Sequence, residues 1–246
     1  MKGGGFMRWI GALLGLGMLA GCIVPVEMAP PSGTQPGQTQ PSAAAQTMAS
    51  TQAARNFVAA VEAVEPVAEA FCRARTRGQN CDFRIVVDDR PGQAPNAFQT
   101  LDSFNRPILA FNLALISNAQ NIDELAFVIG HEAAHHIMGH IPQQQQSATE
   151  GALLAGILVA VGGGGEAEIQ RAQQIGASVG GRRFSKGFEL EADALGAEIT
   201  ERAGFDALRG ADFFDRLPDP GNQFLGSHPP NADRRATVQR VVSGLR

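Results

Sequence analysis

No tyrosine occurs anywhere in the 246 residues, and there are only three cysteines. The missing phenol removes one hydrogen-bond donor to a developing oxyanion, so any such charge must be met by other groups. Cys22, Cys72 and Cys81 include no C-x-x-C pair, which excludes a thioredoxin-like redox motif and a zinc knuckle. Positive charge is also scarce. The net charge is −4 and no basic run is long enough to suggest nucleic acid as a partner. Arg234, Arg235 and Arg240 read as the solvated face of a C-terminal helix, with no anion site there. The apolar runs Trp9–Ala20 and Gly151–Val161 fall short of the ~20 residues that cross hydrocarbon. No internal repeat is visible.

What is present begins at the N-terminus. Lys2 and Arg8 precede an uncharged apolar stretch that ends Leu19-Ala20-Gly21-Cys22. This resembles the signal sequence and lipobox of bacterial lipoproteins. The resemblance implies removal of residues 1–21 and acylation of Cys22. Ile23 follows, not the aspartate that commonly retains lipoproteins at the inner membrane. In a host with two membranes the expected location is therefore the outer membrane, facing the periplasm. Residues 22–52 then read as an acylated cysteine and a flexible tether. They are rich in Pro, Gly, Gln, Ser, Ala and Thr, with Glu27 the only charge, and cannot build a core. About thirty such residues reach roughly 30 Å. With Cys22 set aside, Cys72 and Cys81 are an even pair in an oxidising compartment, which predicts a disulfide. Closing that loop of about ten residues stabilises the fold by about 2–3 kcal/mol in the chain-entropy model. Residues 53–246 suit one domain with one core.

The chemistry is carried by His131-Glu132-Ala133-Ala134-His135, an H-E-x-x-H pattern, and by Glu189-Leu190-Glu191-Ala192-Asp193 downstream. Residues i and i+4 of a helix share a face, about 6 Å apart along the axis, so both imidazoles can meet one metal ion. Glu132 leaves the helix about 100° from His131, placed to reach water at the metal rather than to be a third ligand of the same kind. Zinc held by three protein ligands keeps an open position and lowers the pKa of water there to about 7. Glu132 is then the general base for attack on a peptide carbonyl. A helix is expected from Ile122 through the motif, with Asp123 as N-cap and Gly139 and Pro142 at its end. By chemistry alone, either Glu189 or Glu191 can complete the ligand set. His136 lies about 100° from His135 and His140 about 180° from His131, so both read as surface or packing residues.

Four segments together resemble the gluzincin metallopeptidases of the HtpX and CAAX-prenyl-protease type, in their soluble periplasmic lipoprotein branch. They are Pro95-Asn96-Ala97-Phe98; His131 to His140, with a further histidine after the motif; Glu189 to Asp193 with its tail Ala194-Leu195-Gly196; and Ser227-His228-Pro229-Pro230. The segments stand in the family's order, and the resemblance covers roughly residues 55–246. The resemblance implies one zinc ion per chain, held by His131, His135 and Glu189, because the family's third ligand is the first residue of E-x-x-x-D. It places Asp193, one turn on, against a ligand histidine whose tautomer it fixes. Glu191 is left facing solvent. His228 becomes a second catalytic candidate near zinc, either closing the site or helping to stabilise the tetrahedral intermediate. Ser185-Lys186 stands where members often have Ser-Arg, so a contact made by that arginine is not carried over.

The remaining pattern predicts an α+β fold, a mainly helical zincin-type domain with one small sheet. Helices are expected at 53–77, 166–180, 187–203, 211–217 and 232–245, and short strands at 83–88, 96–99 and 107–113. The strand at 107–113 is the expected edge along which an extended substrate pairs. Gln143–Gln146 reads as an exposed loop, and Gly151–Val161 as a buried helix or a gate over the cleft. The functional expectation is a lipid-anchored zinc endopeptidase that cuts misfolded or misassembled envelope proteins, in contact with outer-membrane assembly machinery. The alternative is a periplasmic chaperone or assembly factor with little or latent proteolysis. A purely structural zinc site is disfavoured, because such sites use four protein ligands and need no adjacent base.

Overall fold

The computed structural model describes residues 43–183, 185–219 and 229–245, with side chains from residue 50 onward except 182, 183 and 185. The expected signal sequence, Cys22, His228 and all of the expected tether before residue 43 lie outside the described residues. Helix α1 (Ala43–Arg75) begins ten residues ahead of the expected start at 53. The Pro and Gly content that made 22–52 read as tether ends at Pro41, and the alanines that follow are the best helix formers. Phe57, Ala60, Val64, Ala68 and Cys72 recur at helical spacing and are buried, while Val58 faces out. Cys72 bonds to Cys81 across a Cα–Cα distance of 5.6 Å, the disulfide expected from the cysteine count.

Strands β1 (Arg84–Asp88), β2 (Ala97–Leu101) and β3 (Pro107–Asn112) form one sheet in the order β1-β3-β2. β1 runs parallel to β3 and β2 antiparallel to it. The strand at 107–112 is therefore central, not the edge that its sequence suggested. Its run Leu109-Ala110-Phe111 is buried throughout, as a strand paired on both sides requires. β2 is the outer strand on the side of the site.

After α2 (Leu113–Asn118), helix α3 (Ile122–Ile137) forms the centre of the core, buried along nearly its whole length. Its N-cap is Asn121, not Asp123. The Glu124 N–H donates to Asn121 Oδ1 (3.0 Å), and the Glu124 carboxylate accepts from Asn121 Nδ2 (3.2 Å) and from the Gln120 N–H (2.9 Å). Asp123 instead accepts from the Asp206 N–H and pairs with Arg209, bracing α7 (Ala207–Gly210). Glu124 is further paired with Arg216.

Gly139, at φ 68°, ends α3, and the chain turns at once into α4 (His140–Val161). Gln143–Gln146, expected as a loop, are helical. Glutamine has good helix propensity, and Pro142 sits in the first turn where no intrahelical N–H bond is lost. α4 and α5 (Glu166–Arg183) pack against each other as a helical hairpin. Gly151 meets Gly176 and Gly180 backbone to backbone, so little side-chain core forms between the two helices. Leu153, Leu154, Ile157, Leu158 and Val161 are consequently exposed, where a buried helix was one of the two expectations. Helix α6 (Ser185–Arg202) crosses α3, and a 3-10 turn (Ala211–Arg216) follows α7 where a helix was expected. Helix α8 (Asn231–Leu245) closes a second cluster of Phe127, Ala197, Phe214, Val238 and Val242. No described helix is long and apolar enough to cross a membrane. The fold is α+β, mainly helical with one small sheet.

Candidate metal centre

α3 presents His131 and His135 on one face, and α6 brings Glu189 to them. The two histidine Nε2 atoms lie 3.0 Å apart. Glu189 Oε2 is 3.6 Å from His131 Nε2, and Oε1 is 3.4 Å from His135 Nε2. Donors about 2.1 Å from a common ion at tetrahedral angles stand about 3.4 Å from one another. The three atoms therefore form a face that can hold a metal ion, and the two-imidazole, one-carboxylate donor set suits zinc. Two glycines allow this approach. A Cβ on Gly130 would stand 2.9 Å from the Gly196 carbonyl oxygen, and one on Gly196 would stand 2.8 Å from the His131 nitrogen. Any side chain at either position would push α6, and Glu189 with it, away from the histidines.

Behind this face lies a buried ionic layer. Asp193 Oδ1 is 2.9 Å from His131 Nδ1. Arg234 grips the same carboxylate with two donors, Nε to Oδ2 at 2.7 Å and Nη2 to Oδ1 at 2.6 Å. Its guanidinium also stands 3.5 Å from Glu189 Oε2 and 3.9 Å over the Phe214 ring. Arg234 is thus buried at the site, not on a solvated face. It belongs to the inward stripe of α8 with Val238 and Val242, at offsets of four and eight residues, and that spacing was the available signal. Burial opposes ionisation of Asp193, yet the bonds from Arg234 and His131 outweigh it and hold its carboxyl below the usual range. Burial likewise opposes charge on His131, but the Asp193 bond and the Asp193 and Glu189 charges raise its pKa. Burial pushes the Glu132 carboxyl up, against the pull of His131 and His135.

His140 is also at the site, although an unbroken helix would have pointed it away. The helix breaks at Gly139, so the angular count from His131 does not apply. His140 is buried, with Nδ1 2.9 Å from His135 Nδ1 and Nε2 3.3 Å from Glu191 Oε2. Burial and the neighbouring His135 push its pKa down to about 4. Glu191 is half exposed and tied to His140 rather than wholly given to solvent. His136 is a packing residue, with Nε2 2.7 Å from the Asn80 carbonyl oxygen and its ring edge-on to Phe83.

A cleft of about 540 Å³ opens onto the cluster. Glu132, Phe127 and Val128 line it from α3, residues 95–99 from β2 and its approach, and Phe213, Phe214 and Leu217 from the far side. Asn112 fastens the β2 wall. Its Oδ1 accepts from the Asn96 N–H (3.1 Å) and caps α2 at the Leu115 N–H (2.8 Å), while Nδ2 donates to the Ala94 carbonyl (2.6 Å).

Residues 48–242, containing every residue of the cluster, match the family model described as peptidase family M48. The chain belongs to that family. Its M48 relatives include beta-barrel assembly-enhancing proteases of Escherichia coli strain K12 and of Yersinia pestis. The first is 28% identical over 149 residues, 54% of this chain and 30% of that protein. The second is 28% identical over 162 residues, 60% of this chain and 33% of that protein. A Vibrio cholerae protein carrying the same name provisionally is 34% identical over 166 residues, 61% of this chain and 34% of that protein. This M48 chain thus matches about a third of the length of each of these relatives.

Proposed function

We propose that this M48 chain is a zinc-dependent endopeptidase of the bacterial cell envelope, lipid-anchored through Cys22, that cuts misfolded or misassembled envelope proteins. The observation that carries the reading is the convergence of His131, His135 and Glu189 on one point, with Glu132 in the same cleft. Those three residues would hold one zinc ion per chain. When bound there, zinc polarises the scissile carbonyl and makes water nucleophilic at neutral pH. The Glu132 carboxylate takes the proton from the attacking water and delivers it to the leaving amine, and burial places its pKa nearer the operating range of such a base. Asp193, held by Arg234, keeps His131 in the tautomer whose Nε2 is free to bind. An extended peptide adds to the outer edge of β2, with side-chain selection by the apolar wall of the cleft. His228 is a second catalytic candidate on the strength of the sequence resemblance.

The names of the relatives join proteolysis to β-barrel assembly, which supports outer-membrane proteins as clients and the assembly machinery as a partner. The same names support a second reading, an assembly factor that holds clients and cuts little. Casein cleavage by wild type and Glu132→Gln, with and without chelator, separates the two. The endopeptidase reading predicts chelator-sensitive cleavage that falls about 10²–10⁴-fold in the variant, with bound zinc retained. Equal cleavage by both proteins would remove Glu132 as base. Zinc without cleavage in either would favour the holding role.

A further inference from the structure

His131 and His135 turn their Nε2 atoms toward the shared point and their Nδ1 atoms away from it. At His131 the outward nitrogen meets a carboxylate directly. At His135 it meets another histidine. We propose that His140 and Glu191 are positioning residues for the second metal ligand, holding the His135 ring through a chain of two hydrogen bonds; this rests on the metal-site reading above.

The protons follow by counting. With the His135 Nε2 lone pair directed at the metal, its hydrogen must sit on Nδ1. That N–H donates over 2.9 Å to His140 Nδ1, which must therefore be the bare nitrogen of a neutral ring. The hydrogen of His140 then sits on Nε2 and donates to Glu191 Oε2 over 3.3 Å. Each ring has one tautomer consistent with both bonds. The chain ends on a carboxylate, as the single bond at His131 does, so α6 carries the ligand Glu189 and both terminal carboxylates, Asp193 and Glu191, while α4 supplies His140 between Glu191 and His135.

His140 is built into this position. Only 3% of the residue is exposed, and its ring stacks on Phe188 at 4.5 Å between centroids with 16° between planes. The left-handed turn at Gly139 carries it back over the site. Glu191 is 51% exposed at its side chain, so the far end of the chain can be changed without opening the core.

The test measures zinc affinity of the full chain by competition with a chromophoric chelator, alongside thermal unfolding of the metal-free proteins. His140→Leu should weaken zinc binding about 10–100-fold. Glu191→Gln should weaken it less, with the metal-free melting temperature unchanged. His140→Asn should recover part of the loss, because its side-chain oxygen can accept from His135 Nδ1–H where leucine cannot. Affinities of Glu191→Gln and His140→Leu equal to wild type would overturn the proposal and leave the metal site standing. So would His140→Asn binding as weakly as His140→Leu while Glu191→Gln is unaffected. A wild-type chain that binds no zinc would overturn both readings together.

Discussion

Replacing Gly196 by alanine is the sharpest structural test of how α3 and α6 make the site. The added Cβ would lie 2.8 Å from the His131 nitrogen, 2.9 Å from its Cα and 3.2 Å from the Gly130 carbonyl carbon. All three are backbone atoms, so no rotamer change can relieve the contact, and the helices must separate by roughly 0.5 Å to restore packing distances. Such overpacking costs about 1–3 kcal/mol. Alanine also gains up to about 1 kcal/mol of helix propensity over glycine. Gly187→Ala on the same helix isolates that gain, because a Cβ there meets nothing within 4 Å. The two variants should therefore differ by the packing cost alone, which at 2–4 °C per kcal/mol is about 2–12 °C in melting temperature. Gly196→Ala should also bind zinc more weakly, since the separation carries Glu189 away from His131. Thermal unfolding of the metal-free proteins and zinc titration read the two effects. A Gly196→Ala protein as stable as Gly187→Ala, with wild-type zinc affinity, would refute the reasoning.

Arg234→Met should cost about 3–5 kcal/mol in urea unfolding, because Asp193, with no exposed side-chain surface, loses its bidentate cation and keeps only the bond to His131. Adding Asp193→Asn should recover part of that stability, and a single variant as stable as wild type would remove the ion pair from the account. Replacing Cys72 and Cys81 together by serine should lower stability by about 2–3 kcal/mol. It should also abolish any dependence of the melting temperature on reductant. An unchanged melting temperature would show that the bridge adds nothing.

The metal cluster was legible in sequence because its signal is local. His131 and His135 sit on one uninterrupted helix with an apolar lead-in, so their shared face follows from spacing alone. The choice of Glu189 over Glu191 did not follow from spacing and came from the resemblance. His140 departs from the position that a continuous helix dictates, because the chain reverses at Gly139 before reaching it. Arg234 departs from the solvated face that its charge suggests, because its offset from Val238 and Val242 places it on the buried stripe. Sheet order was also beyond the sequence. A short apolar run such as 107–112 reads alike at the edge or in the centre, and only pairing on both sides decides it. The N-cap of α3 is Asn121 because a residue two places before Asp123 can exchange hydrogen bonds with Glu124, which Asp123, inside the first turn, cannot.

The most direct measurement is a crystal structure of the zinc-loaded chain, with anomalous diffraction recorded on both sides of the zinc edge. The account predicts one peak per chain about 2.0–2.1 Å from both Nε2 atoms of His131 and His135 and about 2.0–2.2 Å from a Glu189 oxygen. A peak bound by Glu191, or by His140 in place of His135, would contradict it, as would a zinc-loaded chain with no peak at this cluster.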